Sequence, residues 1–130
     1  MISYSIQGAD YSIRQEGEGL TAQQMLAIYT SYDWTAEWEV HASLQSAGKD
    51  NCPAGMSIVR EFGVYLNLCP KPDGTVLAHI IHTAPSKFLG FIKTQKDTPL
   101  DVESLAASTA QEAIIRFVKS DNDWLLRHIK

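Results

Sequence analysis

From Met56 to Lys93 the chain alternates short apolar runs with residues that break regular structure, and this pattern constrains the fold more than any other feature. Met56 to Phe62, Val64 to Cys69, Val76 to Thr83 and Lys87 to Lys93 each read as a β-strand. Gly63 stands at the first joint, Pro70-Lys71-Pro72-Asp73-Gly74 at the second and Pro85 at the third. Joints this short hold consecutive strands antiparallel, because a parallel crossover needs about a dozen residues. The result is a meander on which the rest of the chain must pack.

Upstream, Ile2, Tyr4 and Ile6 alternate with Ser3, Ser5 and Gln7, and Tyr11 and Ile13 alternate with Ser12 and Arg14. Gly8-Ala9-Asp10 between the two runs predicts a hairpin, which Gly17 and Gly19 end. Thr21 with Gln24 forms a capping box, and Leu20 with Met25 occupies the positions of a hydrophobic staple. A helix is therefore expected to about Tyr32, burying Met25, Ile28, Tyr29 and Tyr32. Between Thr35 and Gln45, Ala36, Trp38, Val40, Ala42 and Leu44 alternate with polar residues in an unbroken period of two. That periodicity predicts a strand, with Trp38 and Val40 turned to the core and Glu37, Glu39 and His41 to solvent. Ser46 to Gly55 reads as a loop.

Downstream, Thr98-Pro99 has the form of an N-cap followed by a first-turn proline, with Asp101 completing the box and Val102, Leu105 and Ala106 opening a buried stripe. Thr109 with Glu112 makes a further box, predicting a fresh helix from Ala110 to Lys119 that buries Ala113, Ile114, Phe117 and Val118. Asp121 starts a last short helix seated by Trp124, Leu125 and Ile129. The expected architecture is α+β: a mainly antiparallel sheet of five to seven strands, with one helix from the N-terminal half and a helical C-terminus packed on it. A chain of 130 residues suits a single domain, residues 1–130, with one core.

Charge is unevenly spread. Residues 1–63 carry eight acids (Asp10, Glu16, Glu18, Asp33, Glu37, Glu39, Asp50, Glu61) against three bases (Arg14, Lys49, Arg60), a balance of minus five; the remainder carries plus one of the total of minus four. Nucleic acid as a partner is disfavoured, since phosphate contacts need clustered Lys and Arg. A solvated acidic surface that aids solubility and a face that meets a basic partner are the two readings this leaves. No apolar run reaches the ~18 residues of a membrane span, and Met1-Ile2-Ser3-Tyr4-Ser5 lacks the pattern of an export signal. No membrane association, a cytoplasmic location and two reduced thiols at Cys52 and Cys69 are expected accordingly.

Cys52, Cys69, His79 and His82 have the right atoms for tetrahedral zinc but the wrong spacing. The cysteines stand seventeen residues apart, and the odd offset between the histidines sets them on opposite faces of a regular strand. No metal and no cofactor are expected, and no catalytic residue is singled out. Cys69 at a strand end reads as a small core residue, although a Cys–His pair assembled in space stays open. Glu37 and Glu39 on one strand face read as a solvated pair, and Gly17-Glu18-Gly19 is too short and too acidic to cradle phosphate. No nucleophile elbow, phosphate-binding loop, dinucleotide fingerprint or zinc-protease helix motif occurs.

Aromatic residues beside charge have the composition of a protein interface, and Tyr29, Tyr32 and Trp34 lie next to Asp33, Glu37 and Glu39. Core packing is the competing account of these rings, strongest for Tyr29 and Trp38. The candidate partner-binding residues are Asp33, Trp34, Glu37, Glu39 and His41.

The arrangement of Trp38-Glu39-Val40-His41-Ala42-Ser43-Leu44, then Val64-Tyr65-Leu66-Asn67-Leu68 and Val76-Leu77-Ala78-His79-Ile80-Ile81, then a helix from Ala113 to Lys119 and a tryptophan-bearing tail resembles small immunity proteins of bacterial toxin systems. That group has no shared functional motif, so no residue role is carried over. The resemblance implies a cytosolic, stoichiometric inhibitor that occludes the active site of a cognate toxin, and an acidic face suits a basic toxin because charge steers encounter. Two other classes remain open on the residues themselves. A small enzyme needs His79 or His82 gathered with Cys69 or a carboxylate in a concave pocket. A structural or self-associating protein uses an edge strand or the C-terminal helix.

Overall fold

The computed structural model describes residues 2–61, 64–82 and 100–129. The strand expected over Lys87 to Lys93, the breakers Gly63 and Pro85 and the helix start at Thr98-Pro99 lie outside them. Among the described residues six strands form one antiparallel sheet: β1 (Ser3–Gln7), β2 (Ile13–Glu18), β3 (Gly55–Glu61), β4 (Val64–Pro70), β5 (Thr75–His82) and β6 (Leu100–Ala106). Their spatial order is β2-β1-β3-β4-β5-β6, so the meander expected from Met56 onward forms the middle of the sheet and the N-terminal hairpin adds to its β3 side. Four helices complete the described residues: α1 (Ala22–Ser31), α2 (Trp34–Ser46), α3 (Ala107–Val118) and α4 (Asn122–His128). The fold is α+β, as the order of elements predicts.

Alternation decides the core. Tyr4 and Ile6, Met56 and Ile58, Leu66 and Leu68, and Val76, Ala78 and Ile80 point to one face of the sheet and are buried. Their neighbours Ser5, Ser57, Asn67 and His79 take the other face and form one cross-strand row that continues to Asp101. Helix α3 lies against β4, β5 and β6, and α1 lies beside α3. Together they bury Met25, Tyr29, Ala110, Ala113, Ile114 and Phe117 on the apolar face. Burying a side chain such as Phe117 contributes about 2–3 kcal/mol.

The expected capping of α1 is present in full: the Thr21 hydroxyl accepts from Gln24 N at 3.1 Å, and Thr21 N donates to Gln24 Oε1 at 2.8 Å. Asp121 caps α4, whose Leu125 is buried, as is Ile129 just beyond it. Arg60 at the end of β3 ties this C-terminal unit down, donating to Phe117 O at 3.2 Å and Asn122 Oδ1 at 3.0 Å.

Two segments depart from the pattern-based expectation. Thr35 to Gln45, expected as a strand, lies within helix α2. Asp33 accepts from Ala36 N at 3.0 Å and so supplies an N-cap, and the Ala, Glu, Leu and Gln content that favours helix prevails. The period of two carried no weight because α2 has no sheet to join: Glu37 is its one buried residue. Residues 100–106, expected as the opening of a helix, form β6 instead. Leu100-Asp101-Val102-Glu103 alternates as a strand should, and a register shift opposite Val76 and Ala78 then brings Leu105 into the core. The chain passes from β6 straight into α3, whose N-cap Ala106 makes no side-chain bond, so the box at Thr109 and Glu112 does not mark the helix start.

Candidate functional site

The five residues singled out from the sequence do not share one face. Asp33 is the N-cap of α2 and is exposed. Trp34 is half-buried, with Nε1 donating to Tyr29 O at 2.9 Å and its ring 4.6 Å from that of Tyr32. Glu39 is exposed, while the half-buried His41 ring sits edge-on to Trp38 at 4.8 Å. Glu37, expected to face solvent beside Glu39, is only 5% exposed. On a helix, two residues apart means roughly 200° of rotation, so the two carboxylates diverge.

What holds Glu37 is a complete set of donors. Arg14 Nε donates to Oε2 at 3.0 Å and Arg14 Nη2 to Oε1 at 3.4 Å; the Tyr32 hydroxyl donates to Oε2, and the backbone amide of Ala9 to Oε1 at 3.4 Å. Burial pushes this carboxyl up, and the bonds from Arg14, Tyr32 and Ala9 more than offset it, leaving Glu37 below its ordinary value. Burial, then the bond to Glu37, pushes the Tyr32 phenol up to about 12. Gly8 makes the arrangement possible, because a Cβ there would collide with the Arg14 guanidinium. Trp38 Nε1 donates to Pro70 O, so α2 abuts the end of the sheet where the β1–β2 turn and the end of β4 lie. These contacts assign Glu37 to holding α2 in place.

The same end carries the loop before β3. Cys52 N donates to Ala9 O at 3.0 Å, and the Tyr11 hydroxyl donates to Asn51 O at 3.0 Å. Cys69 is buried with its sulfur 4.0 Å from Pro53 O, and burial pushes its thiol up to about 11. Burial also raises the Cys52 thiol. Neither sulfur has the lowered pKa of a nucleophile.

On the open face of the sheet, His79 Nδ1 contacts the Asp101 carboxylate across β5 and β6, and Ser57 Oγ lies 3.4 Å from Asn67 Oδ1. Among the described residues no serine hydroxyl or cysteine thiol hydrogen-bonds the imidazole, and no group of three or more His, Cys, Asp or Glu is placed to hold a metal ion. The side chain of His82 lies outside the described residues. No described helix is long and apolar enough to cross a membrane.

The surface that sequence reasoning missed is the β2 side of the sheet. A groove of about 530 Å³ runs along it, lined by Ser3, Ser5, Glu16, Glu18 and Val59. Tyr11 and Ile13, at the turn end of the same hairpin, are 53% and 54% exposed. The available signal was Gly17 between two glutamates: its missing side chain leaves space for the Tyr4 ring, which a Cβ would meet at 2.9 Å. Glu16 and Glu18 make no ion pair among the described residues, and the nearby Arg14 is already committed to Glu37 and to Asp10 at 3.3 Å. Comparison with protein family models, with curated proteins and with solved structures finds no match to the chain.

Proposed function

We propose that this protein is a stoichiometric binding protein for another protein with a basic surface, acting in the cytoplasm as immunity proteins do when they cover the active site of a cognate bacterial toxin. The observation that carries this reading is the uncompensated acidity of the N-terminal half: Glu16, Glu18 and Glu39 are exposed, while Arg14 is committed to the buried Glu37. Exposed Glu16 and Glu18, on the same hairpin as the exposed Tyr11 and Ile13, supply steering, and the two apolar side chains supply contact area. Asp33, Trp34 and His41, on or beside α2, are further candidate contacts, and Glu37 holds that helix in place.

The test is co-expression with the product of the neighbouring gene. A one-to-one complex by light scattering, weakened by added salt and accompanied by loss of that product's activity, is the expected result. No complex, or one indifferent to added salt, overturns it.

A second reading, a small enzyme, is favoured by one contact, that of His79 with Asp101. A carboxylate that orients an imidazole is half of a general-base arrangement. A hydrolysis screen in which any activity found is lost on His79→Ala would support it; activity that survives the substitution would remove it.

A further inference from the structure

Strand β2 closes one side of the sheet, paired with β1 on one flank and with no strand among the described residues on the other. Gly19 N donates to Ile2 O at 2.9 Å. In an antiparallel pair the bonding residues alternate, so Gln15, Gly17 and Gly19 direct their backbone groups toward β1 while Glu16 and Glu18 direct theirs off the edge. Proteins usually blunt such an edge with charged side chains, proline or a bulge. Here the bulge falls at the Ile6–Gln7 end, and Gln15 to Glu18 run regular without proline, so the charge of Glu16 and Glu18 is what guards this stretch, turning away like-charged strands and admitting a basic one.

The charged side chains along the groove are both acidic. Glu16 and Glu18 flank the groove with Ser3, Ser5 and Val59. At the hairpin end Tyr11 is held at φ 70°, a conformation that costs a bulky residue free energy and that Gly or Asn would adopt more easily. The strained residue is also more than half exposed.

We infer that β2 is a docking strand, to which an extended segment of the partner protein, with Lys or Arg at alternate positions, adds as the next strand of the sheet. The proposal rests on the binding function above and names its mode. Main-chain bonds to Glu16 and Glu18 hold the segment, as strand addition to a free edge does generally. Its basic side chains lie across from the two carboxylates on the outer flank of β2, and Tyr11 and Ile13 supply apolar contact at the turn end. A second copy of this chain fits poorly, because pairing β2 with β2 sets Glu16 and Glu18 among like charges.

The probe is a blocked Lys-Val-Lys-Thr-Lys-Val peptide, titrated into the full chain and followed by amide NMR. The expected result is binding with shifts centred on Glu16 and Glu18, weakened about tenfold or more by N-methylation of the peptide backbone and by Glu16→Lys with Glu18→Lys. No binding at millimolar peptide, shifts elsewhere, or equal binding of the N-methylated peptide overturns it. So does a dimer by light scattering that protects the Glu16 and Glu18 amides, since the occupant is then a second copy. In the complex with the neighbouring gene's product, Glu16→Pro removes an outward N–H without touching the bonds to β1. Unchanged affinity there, with affinity lost on Glu39→Lys, overturns the docking strand alone; absence of any complex overturns the binding function beneath it.

Discussion

Arg14 Nε lies 3.0 Å from Oε2 of Glu37, and this pair fastens helix α2 to the N-terminal hairpin. Helix α2 buries no apolar side chain of its own, so its position depends on this pair, on Asp33 at its start and on Trp34 and Trp38. Removing one partner of a buried, hydrogen-bonded charge costs more than an exposed ion pair is worth, because the other is left without its counter-charge. Arg14 is itself 31% exposed, which moderates the loss. Arg14→Ala is expected to destabilise the protein by about 2–3 kcal/mol in urea unfolding. A change below about 0.5 kcal/mol would show that α2 is held by other means.

Acid unfolding should report the same carboxylate. Glu37 titrates below its ordinary value in the folded protein, so its contribution is fully present above the unfolded value of about 4.5 and is lost as pH falls through the lower folded value. The stability curve of Glu37→Gln is expected to be flatter than that of the wild type below pH about 4.5. Parallel acid limbs would mean that the pair contributes nothing that depends on ionisation.

How far the sequence reveals this depends on what each segment buries. Strands β1, β3, β4 and β5 were legible because their alternation separates a core face from an open one, as Ile58 and Leu66 separate from Ser57 and Asn67. Helix α1 was legible from its box at Thr21 and Gln24. Helix α2 was not, because at the edge of the fold Ala36 and Ala42 are exposed and alternation there has no packing consequence. Strand β6 was hidden by Thr98-Pro99 and by the register shift that brings Leu105 inward. Burial of Glu37 could not be read at all, since its partners Ala9 and Arg14 are 28 and 23 residues away in the chain. The groove beside Glu16 and Glu18 likewise needs the pairing of β1 with both β2 and β3.

Tyr11 separates stability from binding. Tyr11→Asn relieves the cost of φ 70° but loses the hydroxyl bond to Asn51 O, two effects of about 1 kcal/mol and opposite sign. The melting temperature is expected to stay within a few degrees of wild type while affinity for the partner falls. Equal affinity would exclude Tyr11 from the contact.

The cysteines should be silent in the folded state. Burial holds the Cys69 thiol at about 11, so at pH 8 it is a poor nucleophile as well as an inaccessible one. Mass spectrometry after iodoacetamide treatment is expected to find Cys69 unmodified until urea unfolds the chain. Rapid labelling under native conditions would contradict its placement in the core.

His79 and Asp101 make a surface contact on the open face of the sheet, with 28% and 59% of their side chains exposed. Asp101→Asn should change stability by less than about 1 kcal/mol, as solvent-screened pairs do. A larger loss would mean that the contact holds β6 to β5.

The most direct measurement is the affinity of wild-type protein and of the Glu16→Lys, Glu18→Lys double variant for the neighbouring gene's product, at low and at moderate salt. Both glutamates are exposed and neither is a core residue, so the fold should survive the change. If the acidic β2 side is the partner-facing surface, wild-type affinity falls with salt, and the double variant binds about tenfold or more weakly with little salt dependence. Equal affinity of the two proteins at both salt concentrations would contradict it.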